Sequence, residues 1–376
     1  MKRIPSLDGI RAISITVVIL GHLVNSLRAR DHINPVLDNL LNLVNGTQGV
    51  FIFFVISGYL ITTLLVREYD KRGTIRLGRF YYRRFFRIFP PLYTYILIAA
   101  VFIGPWVGMH AEPREVLTSL TFARNLDFHP HQFLFDHFWS VSIEEQFYLV
   151  WPLTLLVILH RKGRKRASQF AICLIVLAPV YRLLSYPLIH FQPFRHFVDL
   201  FLPGQMDILM FGSWAALAEG TPSFEALYNR ITRFAWALPV WFFGVSTFLI
   251  SRFGNFYDLS LGCTLDGLAV IFAILWAIRN ADSLAYRILN WRPIVHLGVI
   301  SYSLYIWQNC FVNAENRTFS GYFPWNLLCA LAAAECSWRT VERASLFLRD
   351  RWEPRLFPAD QQPTAASNKL ETVAES

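Results

Sequence analysis

Apolar runs close to twenty residues long recur along the chain, separated by short polar stretches. One helical crossing of a bilayer core needs about 20 apolar residues. The first run spans Leu7 to Leu27, the second Gly46 to Val66, the third Pro90 to near Met109, and the fourth His137 to Leu159. A fifth covers Gln169 to Ile189 and a short sixth Gly204 to Ala218. The seventh covers Phe234 to Ile250, the eighth Leu259 to Ile278, the ninth Val295 to Val312 and the tenth Phe323 to Val341. The pattern predicts an all-α integral membrane protein, with about ten transmembrane helices in a single bundle. Residues 1–348 are expected to form the membrane domain and residues 349–376 a cytoplasmic tail. From about Pro358 the apolar period is lost and disorder is expected.

Composition agrees, with 54% hydrophobic against 16% charged residues, where a soluble domain carries about a quarter charged. The net charge of +9 could suggest nucleic acid. Its distribution argues for lipid instead. An even number of crossings puts both termini on one side. With that side cytoplasmic, 24 Lys and Arg residues fall in inside regions and seven in outside loops, which is the positive-inside pattern. MKRIP before the first run lacks a following small-residue cleavage site, so it reads as part of a retained first helix. The five cysteines include no CxxC and lie mostly in apolar runs, which argues against a disulfide framework or a metal site.

Ionisable residues inside the runs are the candidates for chemistry, because burying them in lipid is costly. Arg11 and His22 stand eleven residues apart in the first run, about 16 Å along a helix. Neutral imidazole can take a proton near neutral pH, which suits His22 to activating a hydroxyl. Glu144 and Glu145 lie seven and eight residues into the fourth run, which enters from the side where the first exits. Counting from those ends puts them at a depth similar to that of His22. One of the two could orient the imidazole as a triad acid does; an ion pair locking helices is the alternative. The run GRFYYRRFFRIFPP places Arg83, Arg84 and Arg87 at helical spacing, suited either to anchoring or to phosphate. Ser57, in VISGYL, reads as helix packing or as channel lining. Tyr305 reads as packing or as site lining, and Gln308 and Asn309, polar in an apolar run, need partners and are candidates for site lining as well. His129, His131 and His137 read as a solvated outer loop without metal geometry.

Five stretches, in this order, resemble the acyltransferase-3 family: LDGIRAISITVVILGH, GVFIFFVISGYLI, FYYRRFFRIFP, FWSVSIEEQFYLVWP and GVISYSLYIWQN. The resemblance runs from about Ser6 to Val341 and implies a bacterial inner-membrane O-acyltransferase with ten helices. It implies no bound cofactor. The donor would be an acyl-CoA, usually acetyl-CoA, and the acceptor a hydroxyl on an extracytoplasmic glycan or other exported molecule. His22 then looks like the catalytic histidine with Arg11 its motif partner, Glu144 or Glu145 the acid, and Arg83, Arg84 and Arg87 the donor-binding basic motif. Two departures stand out. Gln308 occupies a position where the family often has histidine, and in VERAS Ala344 stands where the closing motif usually has proline. The competing reading is a multi-pass transporter or flippase using His22 and the glutamates as a proton or ion relay; no half-to-half repeat supports it.

Overall fold

The computed structural model describes residues 4–30, 45–108, 110–127, 133–190 and 201–358. His129, His131 and the tail expected to be disordered lie outside them. Every regular element among the described residues is helical. The first helices are α1 (Leu7–Ala29) and α2 (Gly46–Arg72). Next comes α3 (Leu77–Ile98), continued by a π-helical turn and a short helix to Val107. A surface helix, α4 (Pro113–Leu120), precedes the long α5 (Phe138–Ser185). After these come α6 (Leu202–Ala218), α7 (Pro222–Thr232), α8 (Ala237–Phe253) and α9 (Asn255–Arg279). The chain closes with α10 (Arg292–Val299), α11 (Ser301–Gln308), α12 (Trp325–Ser337) and α13 (Arg343–Leu356).

Among the described residues, five helices are long and apolar enough to cross a membrane, or six if α7 and α8, bent by 73°, form one span. The ten uniform crossings expected from hydropathy are not confirmed by these helices, since α5 alone carries two of the expected runs. The reasons are local. The fourth and fifth runs join into α5 through Gly163, whose φ of 74° makes the kink between its two limbs. The ninth run breaks at Ile300 into α10 and α11. The tenth continues as helix through a π turn, Trp338–Glu342, to Leu356, so residues 349–356 of the expected tail are helical.

The third span starts thirteen residues before the Pro-Pro pair that was expected to open it. A proline inside a helix leaves the carbonyl four residues back without its N–H, and in a bundle another group must supply it. For Pro90 that carbonyl belongs to Phe86, and the Ser345 hydroxyl of α13 donates to it. Thr94 Oγ1 donates to Pro90 O at 2.8 Å. The helix thus runs through both prolines, and the basic run becomes its opening turns.

Close packing holds the centre. Gly58 of α2 and Gly212 of α6 each lie against the other helix's backbone, where a Cβ would collide. Gly21 of α1 meets Gly46 of α2 in the same way. A buried ion pair ties α5 to α6: Arg182 and Asp207, both fully buried, meet at 2.7 Å. Thr264 of α9 joins them, donating to Asp207 at 2.5 Å.

Candidate active site

One polar cavity lies between α1, α2, α3, α5 and α11. It is lined by Arg11, Ser57, Arg84, Arg87, Ser140, Glu144, Glu145, Tyr148, Tyr302 and Tyr305, with Val50, Phe53, Phe54, Ile88 and Val141 as apolar wall. Seven of the residues that the sequence marks out therefore meet here.

The α5 contribution is a helical stripe. Ser140, Val141, Glu144 and Tyr148 recur at intervals of three and four, so they share a face. Glu144 accepts from the Ser57 hydroxyl and, at 2.9 Å, from Tyr148. Ser57 is thus a cavity residue, while its neighbour Gly58 supplies the helix contact. Glu145 also borders the cavity, where Arg84 and Tyr302 act on it electrostatically. Both glutamates belong to the site, Glu144 bonded to Ser57 and Tyr148 and Glu145 beside Arg84. A helix set between two cavity walls can offer neighbouring positions to different partners.

The arginines separate. Arg11 lies 3.3 Å from Asp8 and lines the cavity. Arg84 stacks 3.9 Å over the Tyr148 ring, a cation–π contact that keeps its fork in place. Arg87 is coupled to the buried Glu342 of the last π turn, which also acts on Arg11. Arg83 turns away, meeting Glu353 of α13 at 2.5 Å beside Arg79 at 2.6 Å. Its side chain is not among those lining the cavity.

His22 occupies a different level. The Gly21–Gly46 contact sets it beside the start of α2, whereas Glu144 pairs with Ser57, eleven residues along that helix. That separation is about 16 Å. The expected alignment of His22 with the glutamates does not hold, because the helix ends are not flush: α1 extends to Ala29, two turns past His22. Among the described residues, Asp136 acts on His22 electrostatically and His22 on His137. His137, expected in solvent, is 2% exposed; its Nε2 lies 3.1 Å from Ile306 O. One turn on, Ser140 Oγ meets the Tyr305 hydroxyl at 2.5 Å, and that hydroxyl donates to His137 O at 2.8 Å. This pair stands between the cavity and the histidines. Gln308 and Asn309 are buried at the end of α11, outside the cavity lining.

Sequence reasoning missed four groups. Tyr148, Ser140 and His137 were within reach of the 3.6-residue period, one or two turns from Glu144. Glu342 had no local signal, since only the packing of the last helix on α3 brings it to Arg87.

A helical, membrane-embedded bundle enclosing an arginine–carboxylate cavity with a histidine beyond its end defines the class. More narrowly, the chain belongs to the acyltransferase-3 family: the sequence profile of this acyltransferase domain matches residues 4–335. The chain is similar to the peptidoglycan O-acetyltransferase OatA of Listeria monocytogenes, 29% identical over 368 residues, covering 91% of this chain and 55% of that protein. It is likewise similar to the O-acetyltransferase OatA of Staphylococcus aureus NCTC 8325, 28% identical over 377 residues, with 91% and 57% covered. The chain thus spans little more than half the length of these curated relatives. No solved structure matches it.

Proposed function

We propose that the chain is an acyl-CoA-dependent membrane O-acyltransferase, with acetyl as the group moved and a hydroxyl of an envelope glycan, such as peptidoglycan, as acceptor. The observation that carries this reading is the two-level arrangement. Arg11, Arg84 and Arg87 gather at one level and His22 stands about 16 Å away along the bundle, a gap that an extended pantetheine arm bridges. The family and the acetyltransferase relatives support it.

The arginine level faces the cytoplasm on this reading, in keeping with the charge bias, and both termini lie there. Donor phosphates pair with the arginine forks. The pantetheine arm lies along Ser57, Glu144 and Tyr148, and the thioester passes the Ser140–Tyr305 pair. His22 takes the proton of the acceptor hydroxyl, and the oxygen attacks the thioester carbonyl carbon. The C–O bond forms as the C–S bond breaks, and the departing thiolate recovers the proton from the imidazolium. Burial disfavours that transient cation, and the Asp136 carboxylate acts electrostatically in its favour. The glutamates serve the donor level.

Purified protein given radiolabelled acetyl-CoA and a peptidoglycan extract tests this, with His22→Ala alongside. Labelled ester from the wild type alone is expected. Equal labelling by the variant would remove His22 from catalysis. Solute movement without acetyl-CoA consumption would favour the transporter reading.

A further inference from the structure

His137 is a buried titratable group that the steps above do not use. Its Nε2 pairs with Ile306 O, and a carbonyl can only accept, so Nε2 carries the ring hydrogen. In the neutral ring Nδ1 is then a bare lone pair. That atom is buried and, among the described residues, has no hydrogen-bond partner. The ring is clasped by Tyr95, Phe138 and Tyr305, with centroids at 5.8, 4.4 and 5.5 Å, and the Tyr305 hydroxyl fixes its backbone carbonyl. Such a ring is fixed in place by its packing. Gln308, two residues beyond Ile306 and fully buried, has both amide atoms without a partner among the described residues. His22 is the titratable neighbour that acts on His137.

We propose that His137 positions the acceptor at His22: its Nδ1 accepts a hydrogen bond from a second O–H or N–H group beside the hydroxyl that His22 activates. Gln308 adds one donor and one acceptor to the same subsite. This role rests on the transferase reading and narrows its substrate class, since a polyhydroxylated or acylamino acceptor supplies a second donor and a simple alcohol does not.

The test uses the full chain in lipid nanodiscs with radiolabelled acetyl-CoA and purified peptidoglycan glycan strands. His137→Phe keeps the packing but loses both ring nitrogens. His137→Asn can donate to Ile306 O and still present an acceptor oxygen. The expected result is an acceptor KM raised about tenfold or more in His137→Phe, an unchanged acetyl-CoA KM, and His137→Asn within about threefold of wild type. A packing role predicts the reverse order, with Phe tolerated and Asn damaging. Wild-type acceptor KM in His137→Phe, or an equal rise in both KM values, overturns the proposal. A second readout does not need turnover: in 15N-histidine-labelled protein, the unprotonated Nδ1 resonance of His137 should shift when glycan strands are added without donor, and no shift counts against it. Wild-type protein that transfers no acetyl sinks the transferase reading, and the Nδ1 resonance then decides the His137 contact by itself.

Discussion

Arg83 and Arg87 sit one turn apart on the same helix, yet only Arg87 reaches the cavity. Arg83 is neutralised by Glu353, while Arg84 and Arg87 face the space that the donor is proposed to fill. Removing a charge-assisted contact to phosphate costs about 1.5–3 kcal/mol. Arg84→Ala and Arg87→Ala should therefore raise the acetyl-CoA KM by about tenfold to a hundredfold, with Arg83→Ala near wild type. Steady-state kinetics with acetyl-CoA varied would check this, and an Arg83 effect as large as that of Arg87 would contradict the division. The sequence could name all three arginines because basic residues in a membrane protein stand out. It could not rank them, because Glu353 lies 270 residues away in the chain.

At the scale of elements, two contacts hold the helices that carry the site. Arg182 and Asp207 join α5 to α6 with neither side chain exposed. Removing one partner of a buried pair strands the other charge, at about 3–5 kcal/mol. Asp207→Ala should lower stability by that amount in detergent unfolding, far beyond a surface substitution. The second contact straps α13 along α3. Burial alone would raise the Glu353 carboxyl, but hydrogen bonds from Arg83 and Arg79 hold it below the usual carboxylate range. A carboxyl depressed in the folded state stabilises above its unfolded pKa, about 4.3, and that contribution fades as pH falls through the lower folded value. Glu353→Gln should thus cost up to about 1 kcal/mol at pH 7, since Arg83 is partly exposed and screened. The difference should disappear once the pH lies below the folded value. Melting curves of both proteins across pH 3 to 7 would show it, and a gap that persists at the acid end would contradict it. Helix starts and breaks were the least legible part of the sequence. Nothing local in FRIFPPLY shows that Ser345 will satisfy Phe86 O and let α3 run through two prolines.

Over the whole molecule, apolar periodicity identified the all-helical membrane class, and the order of five motifs identified the family. Depth was the quantity that sequence handled poorly. Counting residues from helix ends assumes that those ends are flush, and α1 extends beyond the start of α2. The glutamates consequently moved from the side of His22 to the side of Arg11, and His137 moved from solvent to the neighbourhood of His22. On the proposed reading, the arginine level is the donor end of a path and His22 the acceptor end. Sealed proteoliposomes with radiolabelled acetyl-CoA on one face and glycan strands only on the other test that path directly. Vesicles in which the arginine end meets the acetyl-CoA should form labelled ester on the opposite face, and those carrying His22→Ala should form none. Ester that appears only when donor and acceptor share a face would contradict a path that crosses the bundle.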